Sequence, residues 1–132
     1  MNTKAIRDKY ASQIGAALDI KSTQLLPALT EVAREDFMGS GPWTVMDPAD
    51  GPTAKPKETP DSDPIHIYQD VSVAMDGQRS LFNGRPTTIL HWIDTLDLQQ
   101  GDRVLHVGLA QATTRQLWLG WSDLGVACAL WK

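Results

Sequence analysis

The chain has 132 residues, which suffices for one domain, and its 42% hydrophobic content can bury a core. A net charge of −4 and an isoelectric point near 5.2 argue against a nucleic-acid partner, because nucleic-acid binders usually present a basic face to phosphates. No stretch approaches the roughly 20 apolar residues that a membrane-spanning helix needs. The amino end, Met1–Lys4, lacks the profile of a secretory signal. We therefore expect a cytoplasmic protein with no nucleic-acid and no membrane partner.

The first part of the chain, residues 1–45, is predicted to be helical. One helix covers Ala5–Leu18, where apolar residues recur at spacings of three and four. A second helix follows Ser22 as its N-cap and stops at Gly39–Pro42, and its last polar residues, Arg34–Asp36, are predicted to form a solvated face. The predicted inner faces consist of Ile6, Tyr10, Ile14 and Ala17 in the first helix and Leu25, Leu29 and Val32 in the second.

Residues 46–64 are predicted to form a long loop or a mobile insert. They contain five prolines, many Asp and Thr residues and almost nothing apolar, so neither a strand ladder nor a core is expected there. Order is predicted to resume with residues 65–110. Between Ile65 and Val73 the pattern indicates short extended segments around Asp70.

The strongest local signals follow. Asn83-Gly84 favours positive φ and a tight turn, and Pro86 suits the first position of a helix. The turn Gln99–Asp102 closes that helix, and the apolar run Val104–Val107 then predicts a buried parallel strand that ends at Gly108. The apolar stripe of the helix consists of Ile89, Trp92, Ile93 and Leu96, which predicts that Trp92 packs in the core.

A strand that delivers a glycine into a tight turn before a helix allows close approach of a nucleotide-like ligand. The reason is that no Cβ stands between the ligand and the backbone N–H groups. An ordinary turn between a buried strand and a helix also uses one glycine, so the spacing around Gly108 leaves both interpretations open.

Two segments resemble a known family. Gly101–Gly108 reads G-D-R-V-L-H-V-G and resembles motif I of class I methyltransferases, which use S-adenosylmethionine. Leu29–Phe37 reads L-T-E-V-A-R-E-D-F and resembles the V-P-R-E-x-F segment of protein-L-isoaspartate O-methyltransferases. The resemblance spans roughly Leu25 to Gly108. It implies an α/β fold in which amino-terminal helices precede the first strand and turn of a Rossmann-like methyltransferase domain, here truncated.

The resemblance also implies a reaction and a site. In this family a methyl group moves from a sulfonium to a protein or peptide carboxylate, which is ionised at neutral pH because its ordinary pKa is about 3.9. The protein therefore aligns donor and acceptor and supplies no general base. By resemblance, His106, Gly108 and Leu109 form the surviving edge of the S-adenosylmethionine site, and Asn83 with Gly84 forms the edge of the loop over it. No catalytic residue is assigned.

The sequence departs from the family pattern in ways that affect activity. Gly84 stands where the family has its substrate-loop serine, and Leu109–Ala112 replaces the glycines that normally follow motif I. The family's ribose-binding acid follows a second strand that this chain is expected not to reach. We expect a methyltransferase lineage without catalysis by this chain. The alternative is a non-catalytic interaction or regulatory fragment, and detectable cofactor binding would favour a competent pocket.

The tail, residues 111–132, is atypical because it holds three of the five tryptophans and the only cysteine. We interpret it as the product of a reading-frame change. One choice of codons, read from the third base, gives G-Y-Y-T-A-I-M-A-W-L-V-G-P-G-G-R-V-C-S-V-E, which resembles the next segment of the family. The alternative is an authentic amphipathic helix.

The stability of such a chain is expected to be marginal. The predicted strand at Arg103–Val107 has no partner strands in this interpretation, although a parallel sheet needs neighbours and covering helices. In a chain that lacks the rest of the domain, we expect Val104, Leu105, Trp92 and the tail tryptophans to be exposed and the chain to self-associate. Cooperative unfolding of a monomer would contradict this expectation.

No metal site is expected. His66, His91 and His106 are scattered along the sequence, without the spacing of metal ligands. Cys128 is a lone cysteine with no histidine in a recognisable arrangement, so we interpret it as a small apolar residue.

Overall fold

The computed structural model describes residues 2–76, 78–107 and 125–129. This part of the chain mixes helices and strands, in agreement with the expected α/β class. The helices are α1 (Thr3–Ala17), α2 (Leu25–Glu31) and α3 (Pro86–Thr95). The strands are β1 (Thr44–Met46), β2 (Lys57–Glu58), β3 (Ser72–Asp76), β4 (Leu81–Phe82), β5 (Arg103–Val107) and β6 (Gly125–Ala129).

Helix α1 confirms the first predicted helix. Asn2 caps it, since its side chain accepts a hydrogen bond from the Lys4 N–H at 3.0 Å. The predicted inner residues Ile6, Tyr10 and Ile14 are buried, together with Ala11. Ala17 is exposed, contrary to the prediction, because it ends the helix and the chain becomes extended at the next residue.

Helix α2 is shorter than predicted. Its N-cap is Gln24, and Ser22 instead supports the turn before it by accepting from the Gln24 N–H at 3.2 Å. The helix ends before Val32, whose backbone is extended. A 3-10 turn at Arg34–Phe37 follows as a separate element. Because the helix ends early, the chain changes direction and Arg34 is buried. The prediction of a solvated face is therefore wrong for Arg34, whereas Asp36 is exposed as predicted.

The prediction that residues 46–64 form no ladder is also wrong. Strand β1 pairs antiparallel with β2, in the register Thr44 opposite Glu58. The Thr59 N–H donates to the Trp43 carbonyl at 2.8 Å, and the Thr59 hydroxyl accepts from the Trp43 N–H at 2.9 Å. Proline removes only its own donor. Short pairing segments between prolines therefore remain able to form hydrogen bonds.

Strand β3 lies inside an antiparallel sheet with the order β2-β1-β3-β4. It confirms part of the extended structure predicted between Ile65 and Val73, whereas Pro64–His66 forms a 3-10 turn. The pairing of β3 with β4 shifts register between Ala74 and Asp76. The main core joins α1, α2 and α3 to this sheet, and its most deeply buried side chains are Leu25, Ile67, Leu90 and Val73.

Helix α3 begins at Pro86, as predicted, after a turn in which Gly84 has φ +83°. Its buried face differs from the predicted stripe, since Pro86, Leu90 and Ile93 are buried while Trp92 is 65% exposed. The helix carries apolar residues on more than one side. Packing against α1 and within the common core buries the side that contains Leu90. The prediction that Trp92 packs in the core is therefore wrong, whereas the exposure of Trp92 expected for a truncated chain is confirmed.

Strand β5 has a partner. It pairs in parallel with β6 in a continuous register from Arg103 opposite Gly125 to Val107 opposite Ala129. The interpretation of β5 as a strand without partners is therefore wrong, because the chain returns beside it. The predicted turn before β5 is confirmed by the hydrogen bond from the Asp102 N–H to the Gln99 carbonyl at 3.1 Å. The interpretations of residues 111–132 lie outside the described residues except for β6.

Candidate functional site

The two predicted loop residues, Asn83 and Gly84, lie between β4 and α3. The Asn83 side-chain oxygen accepts from the Val73 N–H at 2.8 Å, and the Asn83 N–H donates to the Val73 carbonyl at 3.0 Å. Its amide nitrogen lies 3.5 Å from the sulfur of Met38. A Cβ at Gly84 would lie 2.9 Å from Cδ1 of Ile89, so only glycine fits without movement. These contacts fasten the loop to β3 and to the first turn of α3.

The third predicted residue, His106, lies on β5 and is half-buried. Alternation along the strand puts Val104 and His106 on one face and Leu105 on the other. Val104 packs against the core, whereas Leu105 is 67% exposed. The remaining two predicted residues, Gly108 and Leu109, lie outside the described residues.

The carboxyl ends of β5 and β6 allow a test of the implied cofactor. In wound α/β folds the ligand lies beyond these ends, and an acidic residue after the second strand holds the ribose hydroxyls. The parallel register places the ends of the two strands side by side, at Val107 and Ala129. No Asp or Glu occurs from Gly125 to Lys132. Residues 125–132 therefore supply no carboxylate for the ribose hydroxyls of S-adenosylmethionine.

A polar cleft of about 300 Å³ lies at the opposite end of β5. It separates the segment before α2 from the turn that leads into β5, and Asp94 fastens the two sides together. The Asp94 carboxylate accepts from the Lys21 N–H at 3.0 Å and from the Ser22 N–H at 2.8 Å. The lining residues are Lys21, Ser22, Thr23, Gln24, Asp94, Asp97, Leu98, Gln99 and Gln100. Since the cleft precedes β5, it is not at the edge where a wound fold binds its cofactor.

Arg34 organises a second cluster. Its guanidinium donates to the carbonyls of Ile67 and Gln69, lies 3.5 Å from the Tyr10 hydroxyl and stands 5.6 Å from the centre of the Tyr10 ring. Its backbone N–H donates to the Tyr68 hydroxyl at 2.9 Å, and that hydroxyl donates to Glu35. The cluster satisfies a buried cation mainly with carbonyl and phenol oxygens.

The two tyrosines of this cluster have altered acidity. Burial raises the pKa of Tyr68 well above its ordinary value, and the hydrogen bond to Glu35 raises it further. Burial also raises the pKa of Tyr10, although the nearby Arg34 opposes that shift. Both phenols thus stay protonated at neutral pH, and they act as hydrogen-bonding partners within the core.

Asp70 fixes the start of α3. Its carboxylate accepts from the Thr87 N–H at 2.9 Å, from the Thr87 hydroxyl at 2.8 Å and from Arg85 Nε at 2.5 Å. A carboxylate at a helix N-terminus satisfies free N–H groups and compensates the positive end of the helix dipole. Asp70 therefore positions the loop that contains Asn83 and Gly84.

Sequence reasoning missed Arg34, Asp70 and Asp94 as organising residues. Asp94 binds backbone groups 72 and 73 positions away, so no local pattern could have revealed it. Arg34 did carry a signal, because it lies in the segment that resembles V-P-R-E-x-F, although its partners could not be inferred from that segment.

Comparison with known proteins adds no relative. No protein-family model, curated protein or solved structure matches this chain. Among the residues that the structure describes, no group of three or more His, Cys, Asp or Glu side chains could hold a metal ion. None of the helices in the described ranges is long and apolar enough to cross a bilayer.

Proposed function

We propose that the chain is a catalytically inactive relative of S-adenosylmethionine-dependent O-methyltransferases, similar to the enzymes that methylate isoaspartyl carboxylates in proteins. The lineage would place it in the cytoplasm and give it a Rossmann-like architecture around β5 and β6. The ancestral reaction breaks a sulfonium–methyl bond and forms an ester bond to a carboxylate oxygen.

The parallel pairing of β5 is the observation that carries this proposal. Strand β5 accepts a parallel neighbour, as the first strand of a wound fold does, although that neighbour, β6, lies in the tail that the alternative frame would replace. Two consecutive parallel strands need a crossover of a dozen or more residues, and residues 108–124 separate these two strands. The segment that resembles motif I, Gly101–Gly108, includes β5 and continues directly into that connection. In a wound fold, a glycine at the carboxyl end of such a strand allows the backbone to come close to a bound nucleotide.

The segment that resembles V-P-R-E-x-F adds independent support. Its arginine, Arg34, is 5% exposed and contacts Ile67, Gln69 and Tyr10. Its glutamate, Glu35, accepts from Tyr68. An arginine and a glutamate that tie the amino-terminal helices to the rest of the fold are expected to persist in a lineage even where catalysis is lost.

The proposed inactivity rests on the residues at the carboxyl ends of β5 and β6, where the cofactor would bind. The carboxyl end of β6 has no acid to hold ribose hydroxyls, and Leu109–Ala112 brings side chains where the family has glycines. The Asn83 carboxamide is held by Val73 and is not free to hold a ligand. Of the residues that the resemblance assigns to this edge, His106, Gly108 and Leu109, only Gly108 lacks a Cβ that would keep a ligand away from the backbone.

Restoring the tail tests the proposal. In one variant, Ala112–Lys132 is replaced by the alternative-frame string G-Y-Y-T-A-I-M-A-W-L-V-G-P-G-G-R-V-C-S-V-E. Calorimetry with S-adenosylhomocysteine should detect binding by this variant and none by the original chain. A matched control carries glutamine in place of the final glutamate of the string, and it should bind at least about tenfold more weakly, because a charged hydrogen bond to the ribose is lost.

Two outcomes would contradict the proposal, one its lineage and the other its inactivity. A replaced-tail variant that folds by circular dichroism yet gives no heat with S-adenosylhomocysteine would contradict the lineage. Methyl transfer by the original chain to an isoaspartyl peptide would contradict inactivity.

The second candidate is a non-catalytic interaction module. The exposed apolar side of α3, formed by Trp92 and Leu96, favours it, because these residues are 65% and 57% exposed. In that case the three helices and the sheet would serve as a scaffold for a protein contact, and the replaced tail would bring no cofactor binding.

A further inference from the structure

Asn83 is the only asparagine in the chain that precedes a glycine. Gly84 has no Cβ, so its backbone nitrogen can approach the side-chain carbonyl carbon of Asn83. Attack there forms a bond between the Gly84 nitrogen and Asn83 Cγ, breaks the bond from Cγ to the carboxamide nitrogen and releases ammonia. Water then opens the succinimide ring on either side, giving aspartate or isoaspartate. The dipeptide thus has the chemistry of a spontaneous deamidation site.

The fold restrains this chemistry. The Asn83 side-chain oxygen accepts from the Val73 N–H at 2.8 Å, and its amide nitrogen contacts the Met38 sulfur at 3.5 Å. Val73 is completely buried. Rotation of the carboxamide toward the Gly84 nitrogen would remove the acceptor of a buried N–H, which is strongly unfavourable. Reaction in the folded chain therefore requires the loop to open first.

The product would change the loop. Isoaspartate adds a methylene to the main chain, whereas the backbone of Asn83 is held by the Val73 carbonyl at 3.0 Å. The loop continues directly into Pro86, the buried first residue of α3. A longer main chain at position 83 cannot keep both the hydrogen bond to Val73 and the position of Pro86, so the β4–α3 loop loosens.

We propose that Asn83 is a conformation-gated deamidation site, at which opening of the β4–α3 loop permits an irreversible conversion that then keeps the loop open. The folded chain is protected, and each opening event carries a risk of modification. The inference is independent of any methyltransferase ancestry.

Peptide mass spectrometry tests the gating. The full chain is incubated in mildly alkaline buffer with and without denaturing urea, and aspartate and isoaspartate peptides are separated by chromatography. Deamidation at Asn83 should be at least about tenfold slower in the folded chain, which corresponds to the loss of one buried hydrogen bond on opening. Asn2 serves as an internal reference for slow deamidation. The residue after it is Thr3, whose β-branched side chain hinders attack by the backbone nitrogen.

A variant controls for the consequence of the reaction. Asn83→Gln keeps a carboxamide but forms a cyclic imide far more slowly, so ageing should lower the urea midpoint of the original chain and leave that of the variant unchanged. Equal deamidation rates at Asn83 with and without urea would overturn the gating. An unchanged midpoint in chains that contain isoaspartate at position 83 would overturn the effect on the loop.

Discussion

The hydroxyl of Tyr68 links two distant parts of the chain. It accepts from the Arg34 N–H at 2.9 Å and donates to Glu35, whereas the hydroxyl of Tyr10 makes one long contact with Arg34 at 3.5 Å. The sequence predicted that Tyr10 faces the core, because it lies on a helical stripe. It could not predict the role of Tyr68, because its partners lie 33 and 34 positions away, in the 3-10 turn Arg34–Phe37.

The difference between the two hydroxyls leads to a stability prediction. Tyr68→Phe leaves the buried Arg34 N–H without its acceptor and should lower the free energy of unfolding by about 1–3 kcal/mol. Tyr10→Phe removes only a long contact and should cost less than about 1 kcal/mol. Urea unfolding of both variants checks this order. An equal loss in the two variants would contradict the geometry.

The raised pKa of Tyr68 adds a pH dependence to the same pair of variants. Because the folded chain favours the neutral phenol, its contribution is complete below the ordinary pKa of 10.0 and is lost as the pH rises above that value. The original chain should therefore lose stability more steeply above about pH 10 than Tyr68→Phe. Parallel curves for the two proteins would show that Tyr68 titrates normally.

At the scale of the element, the sequence pattern predicts where α3 begins, whereas packing determines which face of α3 is buried. Its start was predictable, because Pro86 and the turn at Gly84 are local signals. The orientation of the helix was not predictable, because apolar residues lie on several of its sides. These residues are Ile89, Leu90, Trp92, Ile93 and Leu96. The ladder of β1 and β2 escaped prediction for a related reason, because the partner segments are short and lie among prolines.

The exposed side of α3 leads to a prediction about association. Trp92, at 65% exposure, and Leu96, at 57%, form an apolar patch one turn apart, which we propose supports self-association. Trp92→Lys should reduce the weight-average mass in sedimentation velocity at high protein concentration. His91→Lys adds a lysine at an exposed position on another face of α3 and should leave association unchanged. Association that both substitutions reduce equally would indicate a charge effect.

For the whole molecule, the sequence predicted one strand and the structure supplies its neighbour. The apolar run Val104–Val107 and the turn before it were recognisable locally. The return of the chain as β6 was not, because its pattern, G-V-A-C-A, is short and follows an atypical segment. The antiparallel sheet and the parallel pair make up the strands of the described part, and only the pair bears on the proposed methyltransferase ancestry.

The parallel register of β5 and β6 is the central claim, and nuclear Overhauser effects across the pair test it most directly. In isotope-labelled protein we expect contacts that advance together along both strands, from Val104 with Val126 to His106 with Cys128. Contacts that run in opposite directions along the two strands, or none between them, would contradict the parallel pairing of β5 and β6.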